Sequence, residues 1–409
     1  MSPGVPAPTA ARVLRVITRL NIGGPAIQAI RLSTELRPAG FETRLVHGRI
    51  GEGEGDMAYL LPAEGLDVRF LATLQRPIAP WSDLRAAVAL YRLMCEFRPQ
   101  ILHTHMAKAG LLGRAAAAAF NFTHPGSRTR VVHTYHGHVL EGYFPQTTTS
   151  IVIQAERALA RACDVLIAVS ARVRDELVDR YRIGSRQQFR VVPLGLDLDE
   201  FGTIDDDARQ RARRELAIPA GTPVVTTVGR LTAIKHQTLF LETAQLVSHR
   251  LDNAVFLIAG GGELRDRLEV EAGQRGIADR VRFLGWRRDL ATIYAASDVF
   301  LLTSRNEGTP VALIEAMAAG VPGVATDVGG VRDVITDPSC GIIAPFGDAA
   351  ALAGGVCHLL EAPTDYTQIA SAARAAVLAR FRFARLATDL AALYRGLVEP
   401  APATPLRRS

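Results

Sequence analysis

The run Asn306-Glu-Gly-Thr-Pro-Val-Ala-Leu-Ile-Glu315-Ala-Met-Ala-Ala-Gly-Val-Pro322 follows a short apolar stretch, Val299–Leu302, that reads as a β-strand. Thr309 suits an N-cap and Pro310 the first helical position, while Gly320 and Pro322 end the helix. A loop that opens a helix presents free backbone N–H groups and the positive end of the helix dipole, a site suited to phosphate. Gly308, Thr309 and Pro310 are the candidate residues there. The same run carries two carboxylates, Glu307 in the loop and Glu315 inside the helix. Helical side chains lean towards the N-terminus, so Glu315 can reach back to whatever the helix start holds. A carboxylate beside a phosphate accepts from the hydroxyls attached to it, such as a ribose diol or a sugar. Two solvated helix glutamates are the plain alternative. The mainly apolar surroundings of Glu315 (Val-Ala-Leu-Ile before, Ala-Met-Ala-Ala after) argue against it.

Upstream, the strand Val224–Val228 leads into Gly229-Arg230-Leu231 and then Lys235-His236. Two cations at the C-terminal edge of one sheet can converge on a diphosphate. Of 47 basic residues only Lys108 and Lys235 are lysines. Arginine is this chain's default cation, so a retained lysine suggests a need for a compact, flexible point charge. Further strands are expected at 254–259, 281–284 and 323–325, and an earlier series at 13–18, 43–47, 100–103, 130–135, 164–169 and 189–192. Amphipathic stretches such as Ser82–Glu96 and Ile151–Arg161 lie between them. This alternation reads as parallel βαβ units. The interval Pro193–Pro223, charged over Asp205–Glu215, separates the two series. The expected fold is α/β: two Rossmann-like, doubly wound domains, 1–200 and 201–382, followed by a last amphipathic helix in 383–398. Each sheet offers a ligand site beyond its strand C-termini, and two such sites facing across a cleft suit an enzyme that joins two substrates.

In the first domain, Leu20-Asn-Ile-Gly-Gly-Pro-Ala26 follows the first strand. Gly23 and Gly24 let the backbone approach a ligand, although an ordinary tight turn would also use them. Gly260-Gly-Gly262 has the same alternative. No dinucleotide-binding fingerprint is present. His103, His105, His133, His136 and His138 gather at strand ends. A His-x-His pair also serves metal hydrolases, but the acidic ligands such a site wants are not obvious. Lys108, in Thr104-His-Met-Ala-Lys-Ala-Gly110, opens a helix and with His105 is expected to hold an anionic group of an acceptor.

The 409 residues, 48% hydrophobic and 22% charged, exclude a disordered chain and suffice for two cores. No apolar run long enough to span a bilayer occurs. Met1–Ala11 has neither the basic start nor the apolar core of a secretory signal. Four scattered cysteines fit a reducing cytoplasm. Residues 1–200 hold 24 Lys and Arg against 18 Asp and Glu, so the whole net charge of +6 lies in the first half. Aromatics at 6%, with no basic stripe among them, disfavour nucleic acid. An anionic membrane surface or an anionic substrate remains.

Together these residues resemble the retaining nucleotide-sugar glycosyltransferases of family 4, which have the GT-B fold, over nearly the whole chain. The most specific match is the spacing of Glu307 and Glu315, followed by Ala-Met-Ala-Ala-Gly-Val-Pro. Arg230 and Lys235 match the family's diphosphate-binding pair, Val192-Pro-Leu-Gly-Leu-Asp197 the segment between domains, Gly23-Gly24 the glycine loop, and Tyr135-His136-Gly137 the segment with an active-site histidine. His236 departs from the family, in which a glycine often follows the lysine. The resemblance implies a donor nucleoside diphosphate sugar in the C-terminal domain, an acceptor in the N-terminal domain, and a last helix that crosses back to the first domain. It implies that Arg230, Lys235 and the helix start stabilise the leaving diphosphate, Glu315 holds the ribose, Glu307 orients the donor sugar and His136 contacts that sugar. It implies no cofactor and no metal, the sugar nucleotide being a substrate. Asp197-Leu-Asp199 spells the Asp-x-Asp of metal-using transferases, but it lies in the interdomain segment and is read as structural. The acceptor expected is a saccharide or lipid-linked precursor of a cell-surface polysaccharide or glycolipid. The expected location is the cytoplasm, peripheral to the inner face of the plasma membrane. Competing readings are a nucleotide-sugar epimerase of the same fold, a metal-dependent hydrolase built on the histidines, and a sugar-nucleotide binding module without activity.

Overall fold

The computed structural model describes residues 10–21, 23–51, 54–136 and 146–399; Gly137, His138 and the two terminal stretches lie outside them. The chain divides into two units, one formed by residues up to Leu196 with those from Ala384 onward, the other by Asp197–Phe383.

In the first unit the strands are β1 (Ala11–Ile17), β2 (Phe41–Gly48), β3 (Asp67–Leu71), β4 (Ile101–His105), β5 (Arg130–Tyr135), β6 (Val165–Ala168) and β7 (Phe189–Val191). They form one seven-stranded sheet in the order β3-β2-β1-β4-β5-β6-β7. Every pairing in it is parallel. Alternation sends Leu14, Val16, Leu102, Val131 and Tyr135 into a core with Leu90 and Met94 of the helix Pro80–Phe97 and Leu112 and Phe120 of the helix Ala107–Thr123. On the opposite face Ile17 and Leu45 pack with Ala26, Ala29 and Ile30 of the helix Gly24–Glu35. Covering both faces explains why the strands read as apolar runs.

The second unit repeats the scheme with β8 (Val224–Val228), β9 (Val255–Ala259), β10 (Val281–Gly285), β11 (Val299–Leu302), β12 (Gly323–Thr326) and β13 (Ile342–Ala344). Their order is β10-β9-β8-β11-β12-β13. In each sheet the strand order reverses between the first and fourth strands, β1/β4 and β8/β11, where such folds take ligands.

The helix Phe383–Val398 closes the first unit. Tyr394, fully buried, meets Phe41 edge to face at 5.3 Å, and Arg385 donates to the Pro193 and Leu194 carbonyls at 2.8 Å. No helix among the described residues is long and apolar enough to cross a membrane.

Three elements differ from expectation. Strands β3 and β13, both at sheet edges, carry too little apolar pattern to stand out. The helix of the opening run starts at Val311, with Pro310 at the N-cap (φ −76°, ψ 84°) and no side-chain cap from Thr309. The Pro310 ψ of 84° lies outside the helical range, so the helix begins one residue later than expected and Thr309 stays in the loop.

Candidate functional site

The second unit assembles its site at the ends of β8 and β11. Lys235 Nζ donates to Glu307 Oε1 at 2.6 Å, and Ser304 Oγ reaches the same oxygen at 2.6 Å. The Glu307 side chain is only 8% exposed, so this carboxylate is held rigidly, with Oε2 unbonded among the described residues. Thr303 Oγ1 bonds the carbonyls of Lys235 and His236 at 3.4 and 3.3 Å, and Arg305 N–H bonds the Ile234 carbonyl at 2.8 Å, so the two loops are laced together. Arg230 is exposed, and its guanidinium makes no hydrogen bond or ion pair among the described residues. Its carbonyl accepts from Gln237 Nε2 at 2.9 Å, which fixes the backbone.

Glu315 lies in the second turn of the helix Val311–Ala318 and is partly buried. Its Oε2 accepts from the Tyr294 hydroxyl at 3.0 Å. Burial pushes its pKa up to about 7; the Tyr294 bond pulls down, and the charge of Glu200 adds to the rise.

One feature braces this site that sequence reading missed. Gly330 N–H donates to the Glu307 carbonyl at 2.9 Å, and a Cβ on Gly330 would stand 2.0 Å from the Gly308 carbonyl oxygen. A Gly-Gly pair after a strand was the available signal. His236 adopts left-handed backbone (φ 52°, ψ 50°) at the start of the helix Gln237–Ser248. That conformation suits glycine, which is the residue the family often has there. The Gly260-Gly-Gly262 turn is also a matter of close approach, since a Cβ at Gly260 would stand 1.9 Å from the Gly229 carbonyl oxygen.

In the first unit Gly23 precedes the helix Gly24–Glu35 with φ 152°, and only Pro25 lies near the place a Cβ would take. Period two splits the histidines. His133 turns to the face of Tyr135, where Thr104 Oγ1 meets its Nδ1 at 2.8 Å. His103, His105 and His136 converge on the other face around Arg15, which is 0% exposed. Arg15 Nη1 lies 3.1 Å from both His103 Nδ1 and His105 Nε2, and Nη2 lies 3.2 Å from the Tyr394 hydroxyl. His103 Nε2 meets Thr134 Oγ1 at 2.7 Å, and His105 Nδ1 meets His136 Nε2 at 3.0 Å. Burial holds the imidazoles neutral, His136 down to about 3.

On the acceptor side Lys108, like Lys235, is ion-paired: its ammonium donates to both Asp83 carboxylate oxygens at 2.6 and 2.7 Å and to the Pro77 carbonyl at 2.7 Å. His105, wholly buried, backs His136 rather than meeting a ligand. The hydrolase reading loses its ligands in the same way, because both nitrogens of His103 and His105 are engaged and a buried guanidinium occupies their midst. Among the described residues no group of three or more His, Cys, Asp or Glu is arranged to hold a metal ion.

Two parallel α/β units, each with a strand-order reversal at its centre, are what known sugar-transferring enzymes share with this chain. The model for "Glycosyltransferase Family 4" matches residues 22–200, and that for "Glycosyl transferases group 1" matches 208–376. The UDP-Gal:alpha-D-GlcNAc-diphosphoundecaprenol alpha-1,3-galactosyltransferase of Escherichia coli is 29% identical over 68% of this chain and 71% of its own. A D-inositol 3-phosphate glycosyltransferase of Corynebacterium kroppenstedtii is 27% identical over 93% of this chain and 87% of its own. In fold, Anabaena HepE in complex with UDP matches with a TM-score of 0.77 at 21% identity, over 94% of this chain and 100% of that one. The molecule is therefore a glycosyltransferase of the GT-B fold. Within that class it belongs to glycosyltransferase family 4.

Proposed function

We propose that the protein transfers a sugar from a nucleoside diphosphate sugar to an acceptor hydroxyl with retention at the anomeric carbon, using no metal ion. The observation that carries this reading is the assembly of Lys235, Glu307 and Glu315 at the strand ends of one sheet, with Arg230 left unpartnered among the described residues. The bond from the anomeric carbon to the diphosphate breaks, and the bond to the acceptor oxygen forms on the same face. The acceptor's proton passes to the leaving phosphate oxygen. Arg230, Lys235 and the loop Gly308–Pro310 stabilise the charge that grows there. Glu315 accepts from the ribose hydroxyls and Glu307 from the transferred sugar. In the first unit, Gly23 and Gly24 bring backbone close to the ligand and His136 hydrogen-bonds a sugar hydroxyl.

The acceptor is a saccharide or lipid-linked precursor, reached at the cytoplasmic face of the plasma membrane. The diphosphoundecaprenol in the name of the Escherichia coli relative supports this. So does one face of the helix Pro80–Phe97, where Trp81, Leu84 and Val88 are exposed beside Arg85 and Arg92. A panel of UDP, GDP and dTDP sugars, screened by calorimetry and by transfer to lipid-linked saccharides, tests the reading. Arg230→Ala or Lys235→Ala should lower turnover about 10²–10³-fold, the usual loss for a donor to developing oxyanion charge. Arg230→Ala should leave the melting temperature near the parent's, whereas Lys235→Ala, which leaves the buried Glu307 carboxylate without its cation, should lower it. Lys235→Arg should recover only part of the loss. An inverted product anomer, or full turnover without Arg230, rejects the proposal.

A further inference from the structure

We infer that Arg15 and His105 are positioning residues that fix the proton of His136 on Nδ1, so that His136 meets its ligand as an N–H donor. The Arg15 guanidinium is always protonated. A guanidinium has donors and no acceptor. Each imidazole nitrogen that Arg15 touches must therefore be bare. His103 Nδ1 and His105 Nε2, both 3.1 Å from Arg15 Nη1, are those nitrogens. A neutral imidazole carries its proton on the other nitrogen, so His105 is protonated at Nδ1. That N–H points along the 3.0 Å contact to His136 Nε2, which must then accept. The two rings lie 27° from coplanar with centroids 5.3 Å apart, the spacing of imidazoles joined edge to edge. The remaining proton of His136 sits on Nδ1. That atom is buried and has no hydrogen-bond partner among the described residues.

His103 obeys the same constraint, with its single Nδ1 lone pair shared between Arg15 and Tyr394. His103 Nδ1 already accepts from Arg15, so the Tyr394 hydroxyl donates to it while accepting from Arg15 Nη2. His103 then donates from Nε2 to Thr134 Oγ1 at 2.7 Å. Arg15 has no carboxylate partner among the described residues, so its charge polarises the relay instead of being neutralised in an ion pair. A donor at the end of such a chain favours an oxygen that accepts, a hydroxyl of the transferred sugar, over a ligand ammonium. This rests on the proposed contact between His136 and the sugar.

The test reads the tautomer directly. Protein labelled in histidine nitrogen gives long-range proton–nitrogen spectra in which bare and protonated ring nitrogens resonate far apart; His136→Gln assigns the signal. At neutral pH, without substrate, His136 should show a protonated Nδ1 and a bare Nε2. His105→Leu removes the donor and should shift the proton wholly or partly to Nε2. His105→Asn, whose amide N–H can stand in for the imidazole Nδ1–H, should restore the parent pattern. Arg15→Met should act like His105→Leu; if it does not fold, the His105 pair, which leaves Arg15 in place, decides alone. A parent protonated at Nε2, or an unchanged pattern in His105→Leu, overturns the inference. Because no substrate is present, that outcome is separate from failure of the transfer assay, which bears on the site reading itself.

Discussion

Glu315 keeps its proton to a higher pH than an ordinary carboxylate because the helix buries it with a single partner, Tyr294. In the folded protein it titrates at about 7, against an ordinary value of 4.5. Between those limits the folded state binds more protons than the unfolded one, so rising pH weakens the fold across that window, by up to about 3 kcal/mol. Glu315→Gln should therefore be more stable than the parent at pH 8, with the gain vanishing towards pH 4.5, while UDP binding weakens. Urea unfolding at several pH values measures it; a difference independent of pH contradicts the assignment. Glu307 should behave differently. Glu307→Gln frees Lys235, so nucleoside diphosphate should bind as well as before or more tightly. Turnover should fall about 10–100-fold, the worth of one hydrogen bond to a charged group. Weaker diphosphate binding by calorimetry would count against this role. The two glutamates were legible because Glu315 stands in an otherwise apolar helix and Glu307 in the loop that opens it. Arg15 was not: an arginine inside Ala11–Ile17 looks like any residue on a solvated strand face, and only the converging histidines and Tyr394 show it buried.

At the scale of elements, the βαβ rhythm was readable because both faces of each central strand are covered, which leaves continuous apolar runs. Edge strands escape that logic. Strand β3 has two of its five residues exposed, and β13 has three residues in all. The loop between β11 and its helix depends on the turn after β12, where Gly329 and Gly330 pass beneath the Glu307–Gly308 peptide. Gly330→Ala would set a methyl 2.0 Å from the Gly308 carbonyl oxygen, and one of the two backbones must move. Displacing the loop by about 1 Å is enough to cost about 10²-fold in turnover. The fold should lose about 1–3 kcal/mol, as overpacked sites do. Transfer kinetics beside a melting curve check both numbers, and a variant with parental turnover sinks the bracing role. His236 shows a milder tension, since the chain tolerates left-handed backbone there with a side chain that packs on Phe346 at 5.3 Å.

Over the whole molecule, charge follows the structural units more sharply than the halves of the sequence. The first unit holds 28 Lys and Arg against 17 Asp and Glu, net +11, and the second 19 against 24, net −5. A basic unit with exposed Trp81, which is 79% accessible, should bind anionic vesicles and release them in salt. Trp286→Phe leaves Trp81 as the sole tryptophan. Its fluorescence should shift to the blue with phosphatidylglycerol vesicles and not with phosphatidylcholine ones; equal response to both, or to neither, refutes the idea. The discontinuous first unit has one more implication. Its sheet is complete by Val191, yet the residue that covers Arg15, Tyr394, is translated about two hundred positions later, after the entire second unit. Until the helix Phe383–Val398 is made, Arg15 Nη2 and His103 Nδ1 lack the Tyr394 hydroxyl, while the contacts among Arg15, His105 and His136 need only residues up to His136. The unit whose synthesis begins first is thus completed last, and a nascent chain that stops short of this helix holds the histidine relay without its tyrosine.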